Sequence, residues 1–393
     1  MIQLPLVHFN CKYLEGDKPC FANKQYSVFC GDCSYYEKTA GEEASFPEIP
    51  EGKTISGNNE YINILIIKLD AVGDVLRTTS ILPSIKKILP GAKITWITKT
   101  KSLPVLKDNT YINSIYPAEG NLEQVFSESF DIAINLDSGK DSCRIMEKIS
   151  AAENYGYTLT GGKPYPLNKF ANEWYLMGIN DNFKKQNKKT YHQIIHEICG
   201  LEYANTVPVL EITENRRLRA AKTREKSGLD NYSEFILINL GGGNRWQYKK
   251  WTKEGYAGLI NDLSLKKPES AIGVIAGKDD EYFYNDVLAS LNKQDNVFPF
   301  GCGNTTDEFI SIIYLADKIF TSDSLAFHIA TALEKYTVVI VGPTSHTELD
   351  VFGRGKIIYS SKVDCLSCYL NKCDKTVTCM NTVSHGELIS YFL

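Results

Sequence analysis

In KLDAVGDVLRTTSIL, from Lys68 to Leu82, an apolar run ends in a turn holding Gly73 and Asp74, and a helical pattern follows. A carboxylate there can do one of two things. It can favour the helix N-terminus, where free N–H groups and the dipole stabilise negative charge. Or it can act as a general base, with Gly73 letting a ligand approach the backbone closely. NLGGGNRWQYKKW, from Asn239 to Trp251, repeats the run-then-turn pattern with three glycines. Consecutive glycines such as Gly242 and Gly243, followed by Asn244, expose backbone N–H groups in the way that cradles phosphate. Lys249 or Lys250 adds a point charge suited to a diphosphate, whereas a plain loop with solvated lysines would need neither. In FTSDSLAFHIATAL, Asp323 and Ser324 stand where a strand meets a helix, a place for an anion. His328 lies four positions after Ser324, so it shares that helix face, and Thr344 ends the next apolar run.

The cysteines fall in two groups, Cys11, Cys20, Cys30 and Cys33 near the start and Cys365, Cys368, Cys373 and Cys379 near the end. Each group contains Cys-x2-Cys, which brings two thiolates to one ion from a single turn. In a reducing compartment such groups read as structural zinc or iron sites, one per group. A site combining both groups, or an iron–sulfur cluster, uses the same ligands. Disulfides would require export, and MIQLPLVHFNCKYLEGDKPC lacks the basic start and apolar stretch of a secretory signal.

Elements that position these residues follow from the pattern. Asn63–Leu69 predicts a buried parallel strand, and Gly73–Leu89 a helix that Pro83 kinks or breaks. Strands at Ile94–Thr98, near Ile115 and at Asp131–Leu136 continue the alternation. The pattern restarts at Phe235–Leu240 and runs through helices and strands to Thr337–Val341. Strands alternating with helices predict two doubly wound parallel sheets. The expected division is a Cys-rich extension and linker at 1–57, an N-terminal domain at 58–225 and a C-terminal domain at 226–393 carrying the Cys-rich segment 365–379. A ligand crevice is expected between the two domains, at the carboxyl ends of the strands.

Composition narrows the function. The net charge of −4 over 393 residues offers no positive footprint for nucleic acid. No apolar run reaches membrane-spanning length, so a cytoplasmic protein is expected, with room for peripheral contact at the inner membrane face. A nicotinamide fold would need G-x-G-x-x-G after the first strand, and that turn has Gly73 alone.

Together the segments resemble the heptosyltransferase family, inverting glycosyltransferases of the GT-B fold that use ADP-heptose. KLDAVGDVLRTTSILPSIKKILPGAKITWIT is similar to that family's opening strand–turn–helix–strand. LGGGNRWQYKKW is similar to its donor-domain loop, AGKDDEYFY to its glycine-to-glutamate turn, and SDSLAFHIATALEKYTVVIVGPTS to its phosphate-binding helix and next strand. The resemblance spans roughly residues 60 to 393. It implies two Rossmann-like domains facing a cleft, with Asp74 as the base that deprotonates an acceptor hydroxyl and Gly73 beside it; Asp70 is either a second carboxylate on the acceptor side or merely solvated. On the donor side it implies Lys249 on phosphate, Glu281 on the ribose hydroxyls, and Asp323, Ser324 and His328 around the diphosphate and sugar. The acceptor would be a glycan, lipid or protein, and no catalytic metal is implied. Leu325 stands where relatives carry glycine, Ala326 and Thr252 stand where prolines are common, and Asp70 is unusual in its turn. CLSCYLNKCDKTVTC resembles a cysteine-rich stretch, iron- or zinc-binding in enzymes that glycosylate autotransporter proteins. A transferase using another nucleotide sugar keeps the same fold, and a metal-stapled nucleotide-binding module would keep it without activity.

Overall fold

The computed structural model describes residues 4–16, 18–39, 46–55, 62–242, 248–370 and 373–393. It divides into two compact units, Met1–Leu103 with Lys107–Thr206, and Pro104–Leu106 with Val207–Leu393. This division lies upstream of the 225/226 boundary expected from the sequence. The reason is the helix Glu214–Lys226, which packs against the helix Thr306–Leu315 of the second unit. Buried Arg216 fixes that contact, its Nε 2.8 Å from Asp307 Oδ1.

The first unit holds a six-stranded sheet. Its strands are β1 (Asn63–Ile67), β2 (Lys93–Thr98), β3 (Ser114–Pro117), β4 (Ser129–Asn135), β5 (Ser150–Thr160) and β6 (Lys163–Pro166). The order is β3-β2-β1-β4-β5-β6, parallel except for the β5–β6 hairpin. Ile64, Leu65, Ile66 and Ile67 are wholly buried, as expected for a central parallel strand covered on both faces. The helix after β1 comes in two pieces, Val72–Thr78 and Ile81–Ile88. Pro83 therefore falls in the first turn of the second piece, where its missing N–H leaves no helical bond unmade. The break lies just before it.

The second unit repeats the plan. Its strands are β7 (Glu234–Asn239), β8 (Ser270–Ile275), β9 (Val297–Gly301), β10 (Lys318–Ser322), β11 (Tyr336–Val341) and β12 (Gly355–Tyr359). All are parallel, in the order β12-β11-β10-β7-β8-β9. In each sheet the chain reverses its direction of travel beside the first strand, between β1 and β4 and between β7 and β10. Such switch points leave a gap at the carboxyl ends where ligands of α/β sheets bind. The core of the second sheet is built on Trp251, Tyr256 and Phe320, whose rings meet edge to face at 5.3 to 5.8 Å. No helix among the described residues is long and apolar enough to cross a membrane.

Candidate active site

At the switch point of the second sheet lies an open cavity of about 330 Å3. Four strand ends line it: Asn239, Gly241 and Gly242 after β7, Ala276–Asp280 after β8, Asn304 and Thr306 after β9, and Ser324–Ala326 after β10. The backbone approach is close here. A Cβ on Gly241 would lie 2.8 Å from Asp280 Oδ2, so only glycine fits without displacing that carboxylate. Asn239, the polar end of an otherwise apolar strand, ties two turns together. Its amide donates to Gly241 O at 3.0 Å, Thr321 Oγ1 at 3.0 Å and Ser324 Oγ at 3.3 Å. Because Ser324 Oγ is engaged there, no side chain caps the helix Leu325–Ala332. Its first N–H groups remain for a ligand anion.

Beside the cavity, Lys249 Nζ donates to Asp323 Oδ2 at 2.7 Å, and Thr344 Oγ1 donates to the same oxygen at 2.8 Å. His328 Nε2 stands 4.0 Å from Asp323 Oδ1. Burial works against ionising Asp323, but the charges of Lys249 and His328 prevail and hold its carboxyl well below the usual range. The Lys-x-Trp ending explains how Lys249 is placed. Buried Trp251 donates from Nε1 to Val383 O at 3.1 Å, and Thr252 caps the helix Lys253–Lys266 through Gly255 N at 3.0 Å. Lys249 is thus a short tether from a fixed indole. Lys250 donates instead to Asp280 Oδ1 at 2.6 Å, so two lysines that are interchangeable by loop composition alone take different partners. Gly243 and Asn244 lie outside the described residues. Glu281 is exposed and opens the helix Glu281–Ala289 next to Asp279 and Asp280, which line the cavity in its place.

The turn after β1 carries the remaining expected residues. Gly73 is buried in the first turn of Val72–Thr78, and Asp74 is partly exposed. The Asp74 carboxylate is 2.7 Å from Arg77. Lys68 is buried beneath, donating to Asp70 Oδ2 at 3.0 Å, to Leu136 O at 3.0 Å and to Asp137 Oδ1. Burial alone would lower the Lys68 ammonium, but Asp137 and Asp70 reverse the sign and raise it. Asp137 also accepts the N–H groups of Leu69 and Asp70, fixing the entry to the turn. Asp70 itself is held well below the carboxylate range: burial opposes ionisation, and Lys68 outweighs it. Asp137 and Arg77 escaped sequence reasoning. The signals were a polar end to an apolar strand and a cation three positions after Asp74.

The model for glycosyltransferase family 9 (heptosyltransferase) matches residues 122–377. The chain belongs to this family. Lipopolysaccharide heptosyltransferase 1 of Campylobacter coli is 23% identical over 342 residues, 84% of this chain and 97% of that one. A family 9 glycosyltransferase of Veillonella parvula superposes with a TM-score of 0.68 at 15% identity, covering 86% and 98% of the two chains. The iron-containing dodecameric glycosyltransferase TibC of enterotoxigenic E. coli gives 0.52 at 10%, covering 86% and 76%, and it has been seen in complex with ADP-D-β-D-heptose. The family membership and the GT-B fold agree with the resemblance read from the motifs.

The late cysteines close on the same unit. Burial pushes the Cys379 thiol up to about 11. Their segment packs on the loop after β11: Tyr369 N donates to Pro343 O at 2.9 Å, and Ser345 N donates to Tyr369 Oη at 2.9 Å. The metal site expected at Cys365, Cys368, Cys373 and Cys379 is not formed here: among the described residues, no group of three or more His, Cys, Asp or Glu side chains is placed to hold a metal ion.

Proposed function

We propose that this chain transfers a heptosyl residue from ADP-heptose to an acceptor hydroxyl with inversion at the anomeric carbon. The observation that carries the reading is the cavity of about 330 Å3 at the β7–β10 switch point, within the range of roughly 300–1,000 Å3 usual for small-molecule sites. Uncapped helix N–H groups and a lysine stand beside it. The nucleoside diphosphate would seat its phosphates on Gly242, Gly243, Asn244 and the start of Leu325–Ala332. Lys249 would supply a charge, with Asp323, Ser324, His328 and Thr344 around the sugar and Glu281 toward the ribose hydroxyls. In the first unit, Asp74 would take the acceptor's hydroxyl proton, with Asp70 and Gly73 beside the acceptor. The freed oxygen attacks the anomeric carbon, the bond from that carbon to the phosphate oxygen breaks, and ADP leaves with the electron pair. Attack opposite the leaving group inverts the centre. Backbone N–H groups and Lys249 stabilise the departing charge, so no catalytic metal is needed. Cys365, Cys368, Cys373 and Cys379 would hold a structural zinc or iron that fixes the loop carrying Thr344. The acceptor would be a glycan, lipid or protein, met in the cytoplasm or at the inner membrane face.

Thermal shift with ADP, UDP and GDP, followed by NMR of the product anomer from ADP-heptose, tests this reading. Stabilisation by ADP and an inverted product without added divalent cation are expected. A preference for UDP or GDP would reassign the donor, and a cavity that binds nucleotide without turnover would make the chain a binding module.

A further inference from the structure

The early cysteines do not belong to the donor unit. Cys11 sits in a β-bridge with Lys38, Cys20 precedes the helix Phe21–Tyr26, and Cys30 and Cys33 bracket one tight turn, Cys33 N donating to Cys30 O at 3.4 Å. These three pieces bring all four side chains to the wall of one small cavity of about 30 Å3, which His8 and Ile179 also line. None is in a disulfide, and each is half-buried. The extension has little core of its own. Among its described residues up to Thr39, only Phe9 and Ala22 are buried hydrophobics, and a segment so poor in core needs a staple.

The four thiols share one cavity wall without standing at ligand spacing. In a tetrahedral site with metal–sulfur bonds of about 2.3 Å, sulfurs stand about 3.8 Å apart, which uncharged thiols have no reason to adopt. We infer that Cys11, Cys20, Cys30 and Cys33 form a second metal site, a tetrathiolate for one divalent zinc or iron ion. It pins the extension to the first unit. Binding converts four thiols and one M2+ into a complex of charge −2, with four protons released to solvent. The pinned surface is specific. Lys163 of β6 donates to Cys11 O, Phe9 packs edge to face on Tyr165 at 4.6 Å, and Lys24 pairs with Asp181 at 2.6 Å.

The test uses the full chain purified without added metal and does not depend on catalysis. Elemental analysis of wild type and of the Cys30→Ser/Cys33→Ser variant should differ by one equivalent of zinc or iron, whatever the C-terminal segment holds. An unchanged metal content overturns the inference. Should that variant fail to fold, wild type decides alone. Alkylation followed by peptide mapping should leave Cys11, Cys20, Cys30 and Cys33 unlabelled until a strong chelator is added. Prompt labelling without chelator, or disulfide-linked peptides among the four, overturns it. Cys365→Ser/Cys368→Ser, which should keep the early thiols protected, separates this site from the late cluster.

Discussion

Arg77 grips Asp74 at 2.7 Å while its guanidinium lies 3.5 Å above the ring of Tyr191. Tyr191 is buried, and its hydroxyl is 2.8 Å from Thr78 Oγ1. The candidate base is therefore not a loose carboxylate at a helix start. It is oriented by a cation that is itself clamped to the helix Tyr191–Ile198, and stacking on an aromatic face suits arginine where lysine would fit poorly.

Asp74→Asn should lower transfer by roughly 10²- to 10⁴-fold, the usual worth of a general base, and leave ADP affinity unchanged. Arg77 is a positioning residue, so its variants should form a series in kcat with KM for the donor constant: wild type, then Arg77→Lys, then Arg77→Ala. Steady-state kinetics reads both. A fully active Asp74→Asn protein would reduce that carboxylate to a helix-stabilising role.

In the second unit, Lys249→Ala should weaken ADP by roughly 10- to 100-fold, the value of a charge-assisted hydrogen bond of about 1.5–3 kcal/mol. Glu281 is tested by its chemistry rather than by affinity alone. Wild type should prefer ADP over its 2′-deoxy analogue, and Glu281→Ala should bind the two alike. Calorimetry with both nucleotides checks the pair. A preference surviving in Glu281→Ala would pass the ribose contact to Asp279 or Asp280, which line the cavity.

Much of this arrangement was legible in the residues. The apolar runs became β1, β2, β7, β8 and β10 because strands buried on both faces need continuous branched side chains. The first glycine of the β7 turn has a physical reason, since a Cβ on Gly241 would stand 2.8 Å from Asp280 Oδ2. Three things were not legible. The helix Glu214–Lys226 has a mostly charged sequence, so its allegiance is decided by the partner of Arg216, which periodicity does not reveal. Strand β12, Gly355–Tyr359, is an edge strand with no fully buried residue and so lacks the apolar signature. The different partners of Lys249 and Lys250, Asp323 and Asp280, lie too far along the chain for the loop's own residues to reveal them.

Acid should unsettle the first unit through His196. Its ring is fully buried, with Nδ1 2.7 Å from His192 O and Nε2 3.0 Å from Ser84 Oγ. Burial lowers it from 6.5 to about 4. The unfolded chain then binds the proton more readily than the folded one between those values, so stability rises with pH across that window. The contribution is complete above pH 6.5 and is lost as pH falls toward 4, on the order of 3 kcal/mol. Urea unfolding of wild type should steepen in that range, and His196→Gln should flatten it. Parallel curves for both proteins would assign the acid sensitivity to other groups.

A Cβ on Gly342 would lie 2.6 Å from Cys379 Sγ, so the loop after β11 rests directly on one of the late thiols. Two residues on, Thr344 Oγ1 donates to Asp323, and Ser367 Oγ donates to Thr344 O at 3.4 Å. If a metal fixes the cysteines, removing one ligand loosens the loop and with it a partner of Asp323. Cys379→Ser should therefore lose one metal equivalent and weaken ADP about as much as Thr344→Val, which breaks the same contact from the other end. The double variant should be little worse than either, because coupled residues do not add. Calorimetry with elemental analysis on the three proteins decides it. Full additivity, or unchanged ADP affinity after metal loss, would detach the cysteine segment from donor binding.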